Sequence, residues 1–442
     1  MKIIIGAEEG RRTLLRRQPL GETELPDAVW QRTREAVGDV ATVEEAVRKI
    51  LHDVRQDGDA ALLRYCQAFD GAAYSTLRVG QDEVRAAYDQ VDSEVVAALR
   101  FAADRIRAFH EEQRQHVLQS FSRDGIGVQV TALGRVGINA PGTAVVYPSS
   151  VLMTAIPAKV AGVEEVLIAS PAGEDGRVPA IKLVAADIAG VDGVYRMSGA
   201  QAVAAFAYGT ASVPKVDKVC GPGNIFVTLA KRAVFGEVGI DALYGPSETI
   251  VIADETANPV LCAADLLAQA EHDELATPIL ITTSRDLAEQ VGDEVERQLQ
   301  LLEREQIARA AFEARGGAVV VESIEEALAL GDEFAPEHLC LLMKDAPEWA
   351  KRVRNAGGVF AGEMSPESLG DYTAGPSHAM PTMGTARFSS PLGVQDFLKG
   401  TSIVAVGEDA LREIGPAAAR IARAEGFTAH ARSIELRLDG ES

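Results

Sequence analysis

The chain has 442 residues, which is enough for two or three domains that each bury a core. Hydrophobic residues make up 47% and charged residues 24% of it, and this balance excludes an intrinsically disordered chain. The formal net charge of −22 repels nucleic-acid phosphates and anionic lipids, so neither a nucleic acid nor a membrane is expected as a partner.

The sequence predicts neither a secretory signal nor a membrane span. The apolar run at residues 3–5 is too short for a signal, and charges follow it. The longest apolar stretch, residues 145–163, is interrupted by Pro148, Pro157 and Lys159. We therefore expect a cytoplasmic protein.

The cysteines form no C-x-x-C pair, which favours packed thiols in a reducing compartment over a zinc knuckle or a redox motif. Cys220 stands directly before a glycine-rich turn and is the candidate nucleophile among them, although no base lies near it in sequence. The cysteines are Cys66, Cys220, Cys262 and Cys340.

The first 135 residues have mainly helical patterns. Thr42 is placed to cap a helix over residues 43–54. A longer amphipathic helix is predicted over residues 93–115, with His110 and His116 on its charged, solvent-exposed end.

From about residue 126, short apolar runs alternate with helical stretches. This alternation predicts an α/β fold, with parallel sheets flanked by helices and enough strands for two related units. Strands are expected at 166–169, 193–197, 215–220, 248–253, 279–283, 318–322, 339–343 and 359–362, and helices at 178–190, 199–208, 223–235, 259–271, 285–314 and 324–334.

The last 60 or so residues have a different pattern. Residues 384–399 have little periodicity and predict a loop, and a helix is expected over 415–424. A tail of this size is too small to fold alone, so it is expected to pack on the body or on a partner subunit.

A glycine-rich turn at residues 221–226 is the nearest approach to a dinucleotide-binding motif. It has Phe226 at the position of the last glycine, so the usual G-x-G-x-x-G fingerprint is absent. A turn that opens a helix after a strand can still present main-chain N–H groups to an anion. A plain tight turn is the alternative interpretation.

Several polar side chains could bind a metal ion. Gln269 and His272 are three residues apart and share one helical face, although a histidine at a helix end is often only a cap. Asp371 and His378 lie in a glycine-rich loop, where Asp371 could instead cap a turn. His430 follows a helix end in the tail and could be a surface residue. This mixture of nitrogen and oxygen donors suits zinc or another first-row divalent ion.

Glu337 and His338 lie between a predicted helix and a predicted strand. A carboxylate beside an imidazole suits acid–base catalysis, because both pKa values can be tuned toward neutrality, although adjacency by chance is common. From the residues alone, the chain is interpreted as an α/β enzyme that depends on a metal.

In this order along the chain, these segments resemble the histidinol dehydrogenase family. The Gln–x–x–His, Pro–Glu–His and Arg–Phe–Ser–Ser–Pro–Leu–Gly blocks are specific in combination, and the resemblance runs from about residue 30 to 435. The matching stretches are 147–153, 158–162, 199–202, 221–224, 245–248, 267–273, 334–339, 386–393 and 425–430.

The resemblance implies a homodimeric enzyme that oxidises L-histidinol to L-histidine with two NAD and one zinc ion per subunit, in the last steps of histidine biosynthesis. It implies zinc ligands Gln269, His272 and Asp371 from one subunit and His430 from the other. His338 would take the hydroxyl proton and Glu337 would activate the water that attacks the aldehyde. Further substrate contacts would come from Ser247, His378 and the partner's Glu425, and NAD contacts from Asn139, Gln201 and Asn224.

The resemblance also implies two incomplete Rossmann-like units. Residues 1–30 would be an N-terminal extension. The first α/β unit would consist of residues 31–135 and 247–385. It would include a helical N-terminal part and the metal and catalytic residues. Residues 136–246 would form the second unit on the NAD side, and 386–442 a tail that packs on the partner subunit.

The chain departs from the family pattern at a few positions. Asn139 stands where the family has a tyrosine credited with a cofactor contact, which puts the NAD affinity in question. Leu243-Tyr244, Ser377 and Met383 also differ, on the substrate side.

The alternative function is that of a related zinc- and NAD-dependent dehydrogenase that oxidises another primary alcohol, such as a sulfopropanediol. A catalytically inactive homologue is disfavoured, because every expected ligand and acid–base residue is present.

Overall fold

The computed structural model describes residues 1–17, 27–71, 76–142 and 145–439. Its internal contacts divide the chain into two compact units, Met1–Arg114 with Leu133–Phe397, and Gln115–Ala132 with Leu398–Ser442. Part of the expected N-terminal extension, residues 18–26, lies outside the described residues. The domain limits inferred from the sequence stay a prediction.

The first unit contains a six-stranded parallel sheet in the order β1-β11-β10-β9-β12-β13. Its interior strands are continuous apolar runs, because both faces of the sheet are covered. The edge strand β1 was not predicted, since three apolar residues carry little pattern. The strands are β1 (Ile3–Ile5), β9 (Glu248–Ala253), β10 (Thr277–Thr282), β11 (Gly317–Val320), β12 (His338–Leu342) and β13 (Gly358–Ala361).

The same unit contains a five-stranded parallel sheet in the order β6-β5-β4-β7-β8. The two parallel sheets with their covering helices confirm the predicted α/β fold. The strands are β4 (Arg135–Asn139), β5 (Glu165–Ser170), β6 (Gly193–Arg196), β7 (Lys218–Cys220) and β8 (Gly239–Ile240).

Helices connect and cover these strands. Thr42 caps α3 as predicted, and its side chain accepts a hydrogen bond from the N–H of Glu45. The helices are α1 (Ala7–Arg12), α2 (Asp27–Val37), α3 (Val43–Asp57), α4 (Asp59–Asp70), α5 (Gln81–Ala87), α6 (Ser93–His116), α7 (Pro148–Ala161), α8 (Ala180–Ala189), α9 (Gly199–Tyr208), α10 (Ile225–Val234), α11 (Pro259–Ala270), α12 (Arg285–Leu299), α13 (Glu305–Arg315), α14 (Ile324–Phe334), α15 (Ala346–Ala350) and α16 (Glu367–Tyr372).

The single helix expected over 285–314 is two helices, α12 and α13. Leu299 and Phe312 belong to the same apolar cluster beside the six-stranded sheet. A straight helix of that length would extend about 45 Å and carry one half away from the sheet, so a turn lets both halves pack.

His110 was wrongly predicted to be exposed, because it is fully buried. The buried stripe of α6 runs through Leu99, Ala103, Ile106 and His110, whereas Phe109 is 38% exposed. The ring Nδ1 of His110 hydrogen-bonds to the side-chain oxygen of Gln113 at 2.8 Å.

The second unit contains a three-stranded antiparallel sheet and two helices. Strand β3 (Ile126–Ala132) pairs with β2 (Phe121–Arg123) and with β14 (Leu398–Val404), so the end of the segment predicted as loop 384–399 is extended chain. Helix α17 (Glu408–Ala424) begins seven residues before the predicted start, and α18 (Thr428–Leu438) packs against it through the Arg423–Glu435 ion pair. Across the described parts of the chain, no helix is both long and apolar enough to span a membrane.

Candidate active site

A cavity of about 1010 Å³, the larger cavity, lies at the amino ends of β9 and β12. Strands β9 and β12 are neighbours, with His338 opposite Thr249. Helix α11 follows β9 and returns along the sheet, so its last turn also reaches the amino ends. Seven of the residues expected at the site line this cavity: Ser247, Gln269, His272, Glu337, His338, Asp371 and His378.

The Glu337 carboxylate lies on the buried floor of the larger cavity. Its Oε2 accepts a hydrogen bond from the main-chain N–H of Glu248 at 3.2 Å. The Glu248 carboxylate is itself bound by Arg17, whose Nη2 donates to Oε2 at 2.9 Å, and by the main-chain N–H of Met383 at 3.0 Å. Burial, reinforced by the charge of Glu248, raises the pKa of Glu337 to about 8.

The His338 imidazole stands between two carboxylates. Its Nδ1 lies 3.8 Å from Oε2 of Glu337, and its Nε2 lies 3.7 Å from Oδ1 of Asp371. Neither ring nitrogen has a hydrogen-bond partner among the described residues, and the ring stacks on Phe360. Burial lowers the pKa of His338, but the carboxylates outweigh it and raise the pKa to about 10.

Asp371, on the short helix α16, links the donor side chains. The amide Nε2 of Gln269 donates to its Oδ2 at 3.4 Å, and its main-chain oxygen lies 2.9 Å from Nδ1 of His378. The other nitrogen of His378 lies 3.1 Å from the hydroxyl of Ser150. Burial alone would raise the pKa of Asp371, but the surrounding histidines lower it, so the carboxylate is ionised.

His272 follows the end of α11 and stacks on Tyr147, with ring centroids 6.4 Å apart and ring planes 7° from parallel. Burial lowers the pKa of His272, which keeps the imidazole neutral, the form that binds a metal. Gln269, His272 and Asp371 thus present an amide, an imidazole and a carboxylate to one cavity, a donor set that suits zinc. Within the described ranges, no group of three or more His, Cys, Asp and Glu side chains is placed so that it could hold a metal ion.

Glu425 and His430 lie in the second unit, not among the residues that line the larger cavity. Both are exposed, and the His430 ring lies 5.2 Å from that of Phe427.

A second cavity of about 530 Å³, the smaller cavity, lies at the carboxyl ends of β4 to β7. This is the edge at which parallel α/β sheets bind nucleotides. It shares five lining residues with the larger cavity, Val29, Pro141, Gly223, Asn224 and Phe226. The three residues expected to contact NAD, which are Asn139, Gln201 and Asn224, all line it.

These three side chains differ in what they can offer a ligand. The amide of Asn139 donates to the main-chain oxygen of Pro222 at 2.7 Å, so it supports the glycine-rich turn. Asn224 caps α10 through its side-chain oxygen. Gln201 is buried, and its Nε2 has no hydrogen-bond partner among the described residues. Cys220, behind this turn, is fully buried, and burial raises its thiol pKa far above the range of a nucleophile.

Sequence reasoning assigned no role to several residues that shape these cavities. Tyr147 and Ser150 lie in a stretch already singled out by the resemblance, which was the available signal. Glu248 also lies in a matching stretch, 245–248, whereas Arg17 gave no signal, because its ion pair with Glu248 joins distant parts of the chain.

The comparisons with known proteins agree on one family. The family model described as histidinol dehydrogenase matches residues 33–438. A histidinol dehydrogenase from Dehalococcoides mccartyi (strain CBDB1) is 48% identical over 443 residues, which cover 99% of this chain and 100% of that protein. One from Geobacter metallireducens is 51% identical over 404 residues, covering 90% and 92%. A crystal structure of histidinol dehydrogenase from Elizabethkingia anophelis is 33% identical with a TM-score of 0.89, covering 100% of this chain and 98% of that one. This chain belongs to the histidinol dehydrogenase family.

Proposed function

We propose that the chain oxidises L-histidinol through L-histidinal to L-histidine, with two NAD per turnover and one zinc ion per subunit. The observation that carries this proposal is the meeting of the Glu337–His338 pair with Gln269, His272 and Asp371 in one cavity. Family membership supports the substrate, and the adjoining cavity at the carboxyl ends of β4 to β7 supports a dinucleotide.

Gln269, His272 and Asp371 would hold the zinc ion from one subunit. When bound, zinc fixes the nitrogen atoms of the substrate and so positions its alcohol carbon, and NAD accepts the hydride. The neutral His272 and the ionised Asp371 are already in the protonation states that this role requires.

His338 would accept the proton of the substrate hydroxyl as the hydride leaves, which produces the aldehyde. The carboxylates next to His338 raise its pKa, and a cationic ligand would pair with these same carboxylates. Because the ligand would neutralise their charge, it would lower the pKa of His338 toward the range in which an imidazole accepts a proton.

Glu337 would then take a proton from the water that attacks the aldehyde carbon. The N–H of Glu248 holds one oxygen of its carboxylate, and burial makes the group a stronger base than an exposed glutamate. Retaining the aldehyde in a cavity of this size also protects a reactive intermediate from solvent.

The fourth ligand, His430, and the substrate contact Glu425 would come from a second copy of the chain. The exposure of both side chains in the second unit supports this arrangement. The proposed enzyme is accordingly a homodimer with shared active sites.

Metal content and activity measured together test the function. We expect NAD-dependent oxidation of histidinol with two NADH formed per histidine, loss of activity on chelation and recovery with zinc. Activity confined to another primary alcohol would favour the related dehydrogenase instead, and full activity after complete removal of metal would refute the zinc site.

A further inference from the structure

Lys182 is a buried lysine beneath the loop that follows β4. Lys182 belongs to α8, a largely apolar helix, and is only 2% exposed. Its Nζ lies 2.7 Å from the main-chain oxygen of Pro141, 3.0 Å from that of Gly142 and 3.4 Å from that of Ala140. The hydroxyl of Ser170 is 3.3 Å away. An ammonium has three donors, so consecutive carbonyl groups of one loop can take all of them.

The loop bound by Lys182 forms part of both cavities. Pro141 lines both, and Gly142 lines the smaller one. Gly142 has a φ of +105°, and a Cβ there would lie 1.9 Å from the main-chain oxygen of Val145, so the backbone turns tightly at this point. Three carbonyl groups that point toward one centre repel each other unless a cation lies between them. The shape of the loop therefore depends on the ammonium.

The described residues show no ion pair between Lys182 and a carboxylate, and the charged groups on the elements packed around α8, apart from the exposed Asp89, have other partners. On α7, Lys159 pairs with Asp192 at 2.9 Å. On α8 itself, Asp187 accepts a hydrogen bond from Tyr88, the residue after α5. On α5, Asp82 pairs with Arg85 and Glu83 with Arg196. Asp89, in the turn after α5, is not among the groups that shift the pKa of Lys182, which burial alone lowers to about 8.

We propose that Lys182 is a positioning residue for the dinucleotide, because its positive charge holds the Ala140–Gly142 loop in the shape that the cofactor binds. This inference rests on the proposed function, which supplies NAD as the ligand of the smaller cavity. A buried charge without a carboxylate partner is unfavourable for folding. We infer that this loss of folding free energy is accepted because the charge gives the cofactor site its shape.

The experiment compares Lys182→Met with Lys159→Met, which removes a half-exposed lysine of the same unit. NAD affinity is measured by calorimetry on the zinc-loaded protein, and kcat and both KM values by steady-state kinetics. We expect Lys182→Met to weaken NAD binding by about tenfold, with kcat and the KM for histidinol changed by less than about twofold. Lys159→Met should bind NAD as the unaltered protein does.

The pH profile separates positioning by charge from a purely structural role. In the unaltered protein and in Lys159→Met, NAD affinity should fall as the pH rises through about 8, where Lys182 loses its proton. Lys182→Met should lack this step. Unchanged affinity in Lys182→Met, or the same step in all three proteins, overturns the inference.

Two outcomes remain informative if the variant is difficult to obtain. If Lys182→Met does not fold, the pH profiles of NAD affinity for the unaltered protein and for Lys159→Met test the inference. An NAD affinity that does not change between pH 7 and about 9 overturns it. If the unaltered protein binds no NAD at neutral pH, the proposed function is refuted and the role of Lys182 with it.

Discussion

The main-chain N–H of Glu248 donates a hydrogen bond to Oε2 of Glu337, which joins the beginnings of two neighbouring parallel strands at the floor of the larger cavity. One carboxylate oxygen of Glu337 is thus fixed by the backbone. Glu337 and His338 are placed by the start of β12 and its pairing with β9.

Glu337→Gln should separate the two oxidation steps. The amide keeps the size of the side chain but cannot take a proton from water, so oxidation of added histidinal should fall by about 10²–10⁴-fold. The first oxidation should continue, and rapid mixing should show one NADH formed per active site. Equal loss of both steps would contradict the assignment of Glu337 to the second.

His338→Ala should slow the first step by about 10²–10⁴-fold, because the substrate hydroxyl loses its base. Zinc content measured by mass spectrometry should stay at the level of the unaltered protein, since His338 is not among the proposed ligands. His52→Ala, which removes an exposed histidine from α3, is the matched control. Unchanged turnover in His338→Ala would eliminate it as the base.

Mixed dimers test the shared site. Asp371→Ala and His430→Ala should each be inactive and poor in zinc when expressed alone. Co-expressed with different tags and purified as heterodimers, they should regain activity and about one zinc ion per dimer. One of the two sites then combines an intact Asp371 with an intact His430. Heterodimers as inactive as the parents would mean that both residues act within one chain or that His430 is no ligand.

The Glu83–Arg196 pair predicts a pH-dependent stability. The hydrogen bond from the nearly buried Arg196 lowers the pKa of Glu83 below its ordinary 4.5. The stabilisation is therefore complete above pH 4.5 and is lost as the pH falls through the lowered pKa. Glu83→Gln should reduce the free energy of unfolding at pH 7 by about 1 kcal/mol, a modest value because Glu83 is 39% exposed.

Thermal melts between pH 7 and about 3 measure this effect. The difference between Glu83→Gln and the unaltered protein should shrink to nothing at the acid end. Glu348→Gln, which breaks an exposed pair with Lys351, should show little difference at any pH. A difference that persists at low pH would exclude the ionised carboxylate as its source.

The parts of the site that the sequence predicted well depend on local spacing. Gln269 and His272 share a helical face because they are three residues apart, and Glu337 and His338 are adjacent. Strand–helix alternation was equally local, and it predicted the parallel sheets. The resemblance to a family added Ser247 and Glu425, and it assigned Asp371 and His430 to one shared site, which no spacing rule could do.

Tertiary packing decided what the sequence could not. His110 was assigned to the solvent-exposed end of α6, whereas the buried stripe of this helix continues as far as His110. The pairing of β14 with β3 joins segments far apart in the chain, so no local pattern revealed it. Lys182 was visible as a charge in an apolar helix, but its carbonyl partners appear only in the folded loop.

Strand β1 determines when the six-stranded sheet can be completed. Ile3 pairs with Ala318, so this strand is synthesised long before the partner strand that gives it a neighbour. Until then its apolar side chains remain uncovered during translation, and closure of the sheet involves a contact of very high sequence separation, which slows folding. The pairing of β1 with β11 thus places completion of the six-stranded sheet late in biosynthesis.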